Sequence, residues 1–401
     1  MKSIDIFAGA GGLTLGIYRA GFQHQLAVEW NNRACQTLLQ NKHDLFGEQM
    51  AVARCDVAQF DFSSITDDIA LLAGGPPCQP FSNGGLHRSF QDKRDMFPQF
   101  IRAVRSLKPQ AFLVENVKGL LRKSFAEYFQ YLIWQLTYPE IHIRPSEHWN
   151  EHALRLKQYD RKGLQDGLFY NVTFRLLNAA DYGVPQRRDR VFIIGIRSDL
   201  KQEWSFPQQT HSQEALLYSQ WVTREYWKQF SLSPPEIPPQ LVSQQRKLQS
   251  RLFPPDRVAA AQQHRQRWLT VRDAIDNLPD PRQEEAKDIG NHNFVPGARQ
   301  YPGHTGSPLD EPAKTLKAGV HGVPGGENMM RLTDSTVRYF TVREAARLQT
   351  FPDSYRFPVA WTEAMRQLGN AVPVTLSEIL AKRIKITLSY ARNISSPEDP
   401  R

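Results

Sequence analysis

Asp5-Ile6-Phe7-Ala8-Gly9-Ala10-Gly11-Gly12 is the stretch on which the fold turns. An apolar run over 3–7 breaks into glycines and is followed at 13–20 by helix-compatible sequence. A strand, a glycine-rich turn and a helix in that order let the backbone approach a ligand closely and aim helix N–H groups at it. The dinucleotide fingerprint would place a third glycine at position 14, where Thr14 stands, so a bound pyrophosphate is disfavoured. An acid closing the next strand, about 20 residues on, is expected to hold ribose hydroxyls. Glu29 in Ala27-Val28-Glu29-Trp30 fills that position, and Trp30 beside it is suited to stack on a purine. A third strand-end acid, Asp56 in Cys55-Asp56-Val57, is placed where an adenine amino group would donate to it. The set describes a nucleoside-bearing cofactor that needs no phosphate clamp, such as S-adenosylmethionine.

Outward from this turn, short apolar runs at 25–29, 70–73, 111–115, 171–178 and 190–196 alternate with longer helix-compatible stretches. The rhythm predicts an α/β fold built on a mostly parallel sheet. Beyond Asp199 the sequence becomes rich in Gln, Trp and Pro and reads as a second, less regular domain. The expected division is a cofactor-binding domain over 1–200, completed by 365–401, with the irregular domain over 201–364. Thr341 and Glu344 fit a capping box opening a helix, and another helix is expected over 375–390.

With 401 residues, 50 Lys and Arg against 41 Asp and Glu, and a formal charge of +9, the chain suits polyanionic partners. A mean hydropathy of −0.51 argues against a membrane protein. The three cysteines, Cys35, Cys55 and Cys78, form no CxxC pair, which speaks against a disulfide framework or a cysteine-based metal site. A reducing, cytoplasmic setting is expected, and the N-terminus shows no secretory signal.

Cys35 and Cys55 read as small buried hydrophobes. Cys78 differs: in Gly74-Gly75-Pro76-Pro77-Cys78-Gln79-Pro80 it is fixed between prolines just past a strand, where α/β sheets place their sites. It is a candidate nucleophile. Glu115 ends an apolar run at the same expected sheet edge. In Gln186-Arg187-Arg188-Asp189-Arg190, strand alternation would put Arg188 and Arg190 on one face, suiting an oxygen-rich ligand.

Taken in order, these segments resemble the C5-cytosine DNA methyltransferases. The motifs are the 5–12 loop, Glu29-Trp30, Asp56, Pro76-Pro77-Cys78-Gln79, Glu115-Asn116-Val117, the Gln186–Arg190 segment, Arg343-Glu344-Ala345-Ala346-Arg347-Leu348-Gln349-Thr350-Phe351-Pro352 and Gly369-Asn370-Ala371-Val372-Pro373. They cover nearly all of the chain except 200–337. The resemblance implies a Rossmann-like S-adenosylmethionine-dependent sheet, S-adenosylhomocysteine as product and methylation of cytosine C5 in a specific duplex DNA sequence. It assigns Cys78 to attack on C6 of a flipped-out base, Glu115 to N3, and Arg190 with Arg188 to the catalytic set. Phe7, Ala8, Gly9, Gly11, Gly12, Glu29, Trp30, Asp56, Val57, Pro77, Asn370 and Val372 become cofactor-binding positions. Asp92-Lys93-Arg94-Asp95-Met96-Phe97 is one residue shorter than the family's usual Asp-x-Arg-x-x-Leu-Phe, so Met96 is left out of the cofactor set.

In the family the variable region before the Arg343 motif recognises the target. Gln79, Ser82, Asn83, Gly84 and Arg88 of a glycine-hinged loop, and Lys314, Lys317, Arg331 and Arg338 of the irregular region, are the expected DNA contacts. Trp204, Trp221 and Trp227 are expected to form that domain's core. The resemblance further implies a monomer that works beside a cognate restriction endonuclease, with the charge excess concentrated in a DNA-facing cleft. A transfer-RNA cytosine methyltransferase of the same family and a non-catalytic DNA-binding homologue are the alternatives; the former usually carries a Cys-Phe-Thr element that this sequence lacks.

Overall fold

A computed structural model describes residues 1–47, 49–77, 95–163, 167–251, 265–319 and 328–395. The chain forms two compact units. The first comprises Met1–Leu177, Asp189–Pro207 and Ser354–Arg401, and the second Asn178–Arg188 and Gln208–Asp353.

In the first unit, strands β1 (Lys2–Ile6), β2 (Gln23–Glu29), β3 (Ala51–Arg54), β4 (Ile69–Gly74), β5 (Ala111–Val117), β6 (Tyr170–Asn178) and β7 (Asp189–Arg197) form one sheet in the order β3-β2-β1-β4-β5-β7-β6. The strands from β3 to β5 are parallel, and β7 runs antiparallel to β5. Residues covered on both faces produce continuous apolar runs rather than alternation. All of β4 is buried, as are the first six residues of β5. Helix α3 (Phe97–Leu107) sends Phe97, Phe100, Ile101 and Val104 into this core, where Phe100 packs edge-on against Phe112. Strand β3 escapes the sequence pattern because it is four residues long and only half-buried at the sheet edge.

The turn after β1 is held from several sides. Gly11 has φ +80°, and a Cβ there would lie 2.7 Å from Leu38 and 3.0 Å from the Tyr355 hydroxyl, so only glycine serves. It caps helix α1 (Gly12–Arg19). Thr14, the departure from the dinucleotide pattern, donates its hydroxyl to Asp5 at 2.6 Å. Both residues are fully buried, and burial pushes the Asp5 carboxyl up to about 7 against the opposing effect of the Thr14 hydroxyl.

Helix α1 lies against the C-terminal helix Val374–Ser395 at Gly16, where a Cβ would stand 2.3 Å from Ser377 Cβ and 2.7 Å from the Glu378 amide nitrogen. The Val374 carbonyl oxygen would also lie 2.7 Å away, and it and the Glu378 nitrogen are backbone, so they cannot swing aside. Gly16→Ala is therefore expected to destabilise the protein by about 1–3 kcal/mol through overpacking. Thermal unfolding should show a Tm several degrees lower; an unchanged Tm would contradict this packing.

The units exchange segments relative to the sequence-based division. Residues 178–188 belong to the second unit because their backbone pairs there: the Arg187 amide donates to Ala313 and the Ala313 amide to Pro185, at 2.8 and 2.9 Å. Residues 354–364 belong to the first, where the Tyr355 hydroxyl donates to Ala10 at 2.5 Å and Asn41 exchanges hydrogen bonds with the Arg356 backbone at 2.7 Å. Trp204 is also in the first unit, stacked edge-on with Phe206, and so is not part of the other core.

The second unit is built from short elements, as its composition suggests. It has a three-stranded sheet of Ser307–Pro308, Met329–Arg331 and Val337–Tyr339, and a core of Leu216, Tyr226, Trp227 and Trp268 against which Trp221 packs. The expected capping box opens helix Val342–Leu348, with Thr341 and Glu344 reciprocally bonded. Among the described residues no helix is long and apolar enough to cross a membrane.

Candidate active site

A cavity of about 410 Å³ opens in the first unit at the C-terminal ends of β1, β2, β4 and β5. Four segments shape it. The glycine turn contributes Phe7, Ala8, Gly9 and Gly12; the end of β2 contributes Glu29 and Trp30; Gly75, Pro76 and Pro77 follow β4; and Arg366, Gln367, Asn370 and Val372 come from the C-terminal part. Glu115, Asn116 and Arg190 complete the wall.

Phe7 sits at φ +62°, a left-handed conformation that costs free energy in a bulky residue and marks a site where the surroundings impose it. It turns the chain so that the Gly9 amide donates to Glu29 Oε2 at 2.8 Å. The other Glu29 oxygen accepts from the Asn31 amide at 2.7 Å. Burial raises the Glu29 carboxyl, and the hydrogen bonds from Asn31 and Gly9 oppose that rise. The Trp30 amide acts on the same carboxylate, which with about four lone-pair sites still has one left for a ligand hydroxyl. A Cβ at Gly9 would meet nothing within 4 Å, so there is open space directly above the turn. Trp30 is 74% exposed, its ring available as a stacking surface.

On the opposite wall the antiparallel register places Glu115 across from Phe192 and Val117 across from Arg190. Glu115 and Arg190 are thus diagonal neighbours on one sheet face. Their side chains meet at 2.8 Å from Arg190 Nε to Glu115 Oε1, with 13% and 10% of their surfaces exposed. Burial lowers the Arg190 guanidinium and Glu115 pulls it back up. Asn116 donates to the Pro76 carbonyl at 3.0 Å and so pins the chain just after β4.

Phe7, Ala8, Gly9, Gly12, Glu29, Trp30, Pro77, Glu115, Arg190, Asn370 and Val372 all line this cavity. Gly11 works behind the turn. Asp56 does not line it; its carboxylate caps the Ala58 amide at 2.9 Å, and Val57 is buried in the core. Met96 likewise packs against the core. Arg188 precedes β7, so strand alternation does not apply to it: it is fully buried in the second unit, where its guanidinium donates to the Leu316 carbonyl at 3.1 Å. Cys78, Gln79, Ser82, Asn83, Gly84 and Arg88 lie outside the described residues.

The expected recognition residues of the second unit divide. Lys317 and Arg331 are exposed, and Lys314 reaches Thr305 at 3.0 Å. Arg338 is instead buried and bidentate to Glu344 at 2.8 and 2.6 Å, which fixes the start of helix Val342–Leu348 and leaves a structural role. Asn31, Gly75, Arg366 and Gln367 line the cavity without having been singled out in the sequence. Asn31 carried a signal, since it caps helix α2 (Asn32–Leu45) by accepting from the Arg33 and Ala34 amides at 3.0 Å.

Residues 1–138 and 157–386 match the family described as C-5 cytosine-specific DNA methylase. The chain belongs to that family. By membership it is a DNA cytosine methyltransferase, of a class that works with S-adenosylmethionine. Among its relatives, Type II methyltransferase M.PspPI of Psychrobacter sp. (strain TA137) is 30% identical over 97% of this chain and 80% of its own length. Type II methyltransferase M.FnuDI of Fusobacterium nucleatum is 28% identical over 98% and 97%. The S. pombe Dnmt2 methyltransferase structure shares the fold at a TM-score of 0.54, 18% identity, and coverage of 97% of this chain and 99% of that one.

Proposed function

We propose that the chain methylates C5 of cytosine in a specific duplex DNA sequence, with Cys78 as nucleophile and the Glu115–Arg190 pair as the base-holding wall. The observation that carries this is the placement of that ion pair, a carboxylate and a guanidinium 2.8 Å apart, on one cavity with the glycine turn, Glu29 and Trp30. The cavity fits S-adenosylmethionine: Glu29 offers a remaining lone pair to ribose, Trp30 a face to adenine, and the space over Gly9 room for the methionine part. When bound, this cofactor supplies the sulfonium methyl group that C5 takes, leaving as S-adenosylhomocysteine.

Cytosine C5 is a weak nucleophile until C6 is substituted. The Cys78 thiolate forms a bond to C6 and pushes the ring electrons toward C5 and N3. Glu115 supplies hydrogen bonding or a proton at N3, and Arg190 holds O2 as negative charge builds there. After C5 has taken its methyl group, loss of the C5 proton lets the C6–S bond break, which restores the ring and the free thiolate. Because C6 is buried in a duplex, the base must first be flipped out of the stack. Lys314, Lys317 and Arg331 of the second unit are suited to grip or read the duplex, and the relatives named above make a cognate restriction endonuclease the expected functional partner.

Incubation with methyl-labelled S-adenosylmethionine and either plasmid DNA or transfer RNA tests the assignment. Label is expected on DNA, and bisulfite sequencing of the plasmid should then show protected cytosines in one short context. Label on transfer RNA alone would overturn it.

A further inference from the structure

We propose that Lys118, Arg122 and Lys123 form a preorganised ledge that grips the phosphates flanking the flipped cytosine. The inference rests on the function proposed above and adds a DNA-binding site in the first unit. Strand β5 delivers Glu115 to the cavity, and Lys118 follows only three residues later. Between Asn116 and Ala126 the chain carries three cations and no acid. All three side chains are exposed.

The backbone under them is not a loose loop. It forms two consecutive 3-10 turns, Lys118–Leu121 and Lys123–Phe125, closed by hydrogen bonds from Arg122 to Gly119 at 3.2 Å and from Phe125 to Arg122 at 2.9 Å. Leu120 and Phe125 anchor these turns in the sheet core, at 0% and 5% exposure. At the upstream end, Asn116 accepts from the Val117 amide at 2.9 Å while it holds the Pro76 carbonyl. The backbone under the cations is therefore fixed by folding, which leaves only their side chains to be ordered on binding.

Flipping swings the base into the cavity but leaves its two phosphates on the rim, next to whatever borders the base-holding wall. Phosphate is the matching ligand for a Lys-Arg-Lys cluster there. Lys118 bonds Asp189 at 2.9 Å, but that pair is solvent-exposed, with side chains 63% and 40% accessible. Such pairs are weak and exchange partners readily. An arriving phosphate can replace Asp189, whose neighbour Arg190 holds the base.

The test is Arg122→Gln with Lys123→Gln in the full chain, using a duplex of about 30 base pairs that carries the target cytosine mapped by bisulfite sequencing, so that the phosphates read are those beside the flipped base. Binding of the duplex is measured across salt concentrations, and S-adenosylhomocysteine binding is measured in parallel. The expected result is a duplex affinity about tenfold or more weaker, with a log Kd against log salt slope smaller by about 2, or 0.9 per lost contact. Cofactor affinity should hold, and the charge-conserving Arg122→Lys with Lys123→Arg should keep the wild-type slope. An unchanged slope overturns the ledge, whether or not affinity falls, because damage to the fold weakens binding without removing ion contacts. If the wild-type chain transfers no label to DNA at all, the underlying function has failed instead.

Discussion

Cys78→Ser is expected to reduce methyl transfer to duplex DNA by about 10⁴-fold or more, the scale on which removal of a nucleophile usually acts. The reason lies in thiolate chemistry. A cysteine thiol ionises near pH 8.5 and can be drawn lower by nearby cations or backbone donors, whereas a serine hydroxyl stays protonated and cannot add to C6 unaided. Without that addition C5 never becomes electron-rich. Binding should survive, because the cavity-lining residues Phe7, Glu29, Trp30 and Asn370 are untouched; affinity for S-adenosylhomocysteine is expected to match wild type. A second readout isolates the covalent step. Once bisulfite mapping has given the target, a duplex carrying 5-fluorocytosine at that position should trap the wild-type protein irreversibly, since C5 then has no proton to lose and Cys78 cannot be expelled. Cys78→Ser should give no trapped complex. Methylation by that variant within tenfold of wild type would remove Cys78 from the mechanism.

The parts of this site that were legible in the sequence are those set by local rules. Strands β4 and β5 are covered on both faces, so they appear as unbroken apolar runs, and the acids or turns that end them mark the sheet edge where the cavity lies. Thr14 is a useful contrast. Its presence in place of glycine was legible as evidence against a dinucleotide, but its bond to the buried Asp5 was not, because that pairing depends on how α1 packs. Long-range pairing explains the other differences. Arg188 and Arg190 are two residues apart, yet contacts with Ala313 and Leu316 draw Arg188 into the second unit, while Arg190 enters β7 beside Glu115. Arg338 reads as a phosphate contact until Glu344 is seen to take both ends of its guanidinium. Charge in a sequence says what a side chain can bind; only packing says whether something has already bound it.

Glu115 and Arg190 should differ in their effects when changed, because the ion pair joins two strands of the sheet and, in the proposed mechanism, also holds the base. Glu115→Gln keeps the shape and still offers an amide oxygen to Arg190 Nε but removes the counter-charge of that buried guanidinium, so a stability loss of about 1–3 kcal/mol is expected, less than when the hydrogen bond goes as well. Its amide cannot hand a proton to N3, and kcat is expected to fall by about 10²–10⁴-fold. Arg190→Leu does greater damage to the fold. It leaves a nearly buried carboxylate without the guanidinium that stood 2.8 Å away, a loss of about 3–5 kcal/mol for a broken buried pair. Activity falls as well, since O2 loses its partner. The double variant carries no unpaired charge, so its stability should exceed that of Arg190→Leu alone while its activity stays as low as either single change. Such non-additivity is what contacting residues show and distant ones do not. Unfolding midpoints and label transfer on the four proteins read both quantities. If Glu115→Gln kept kcat within threefold, N3 would not be where this carboxyl acts. Should Arg190→Leu melt like wild type, the pair would be ornamental to the fold and the whole effect of Arg190 would lie in holding the base.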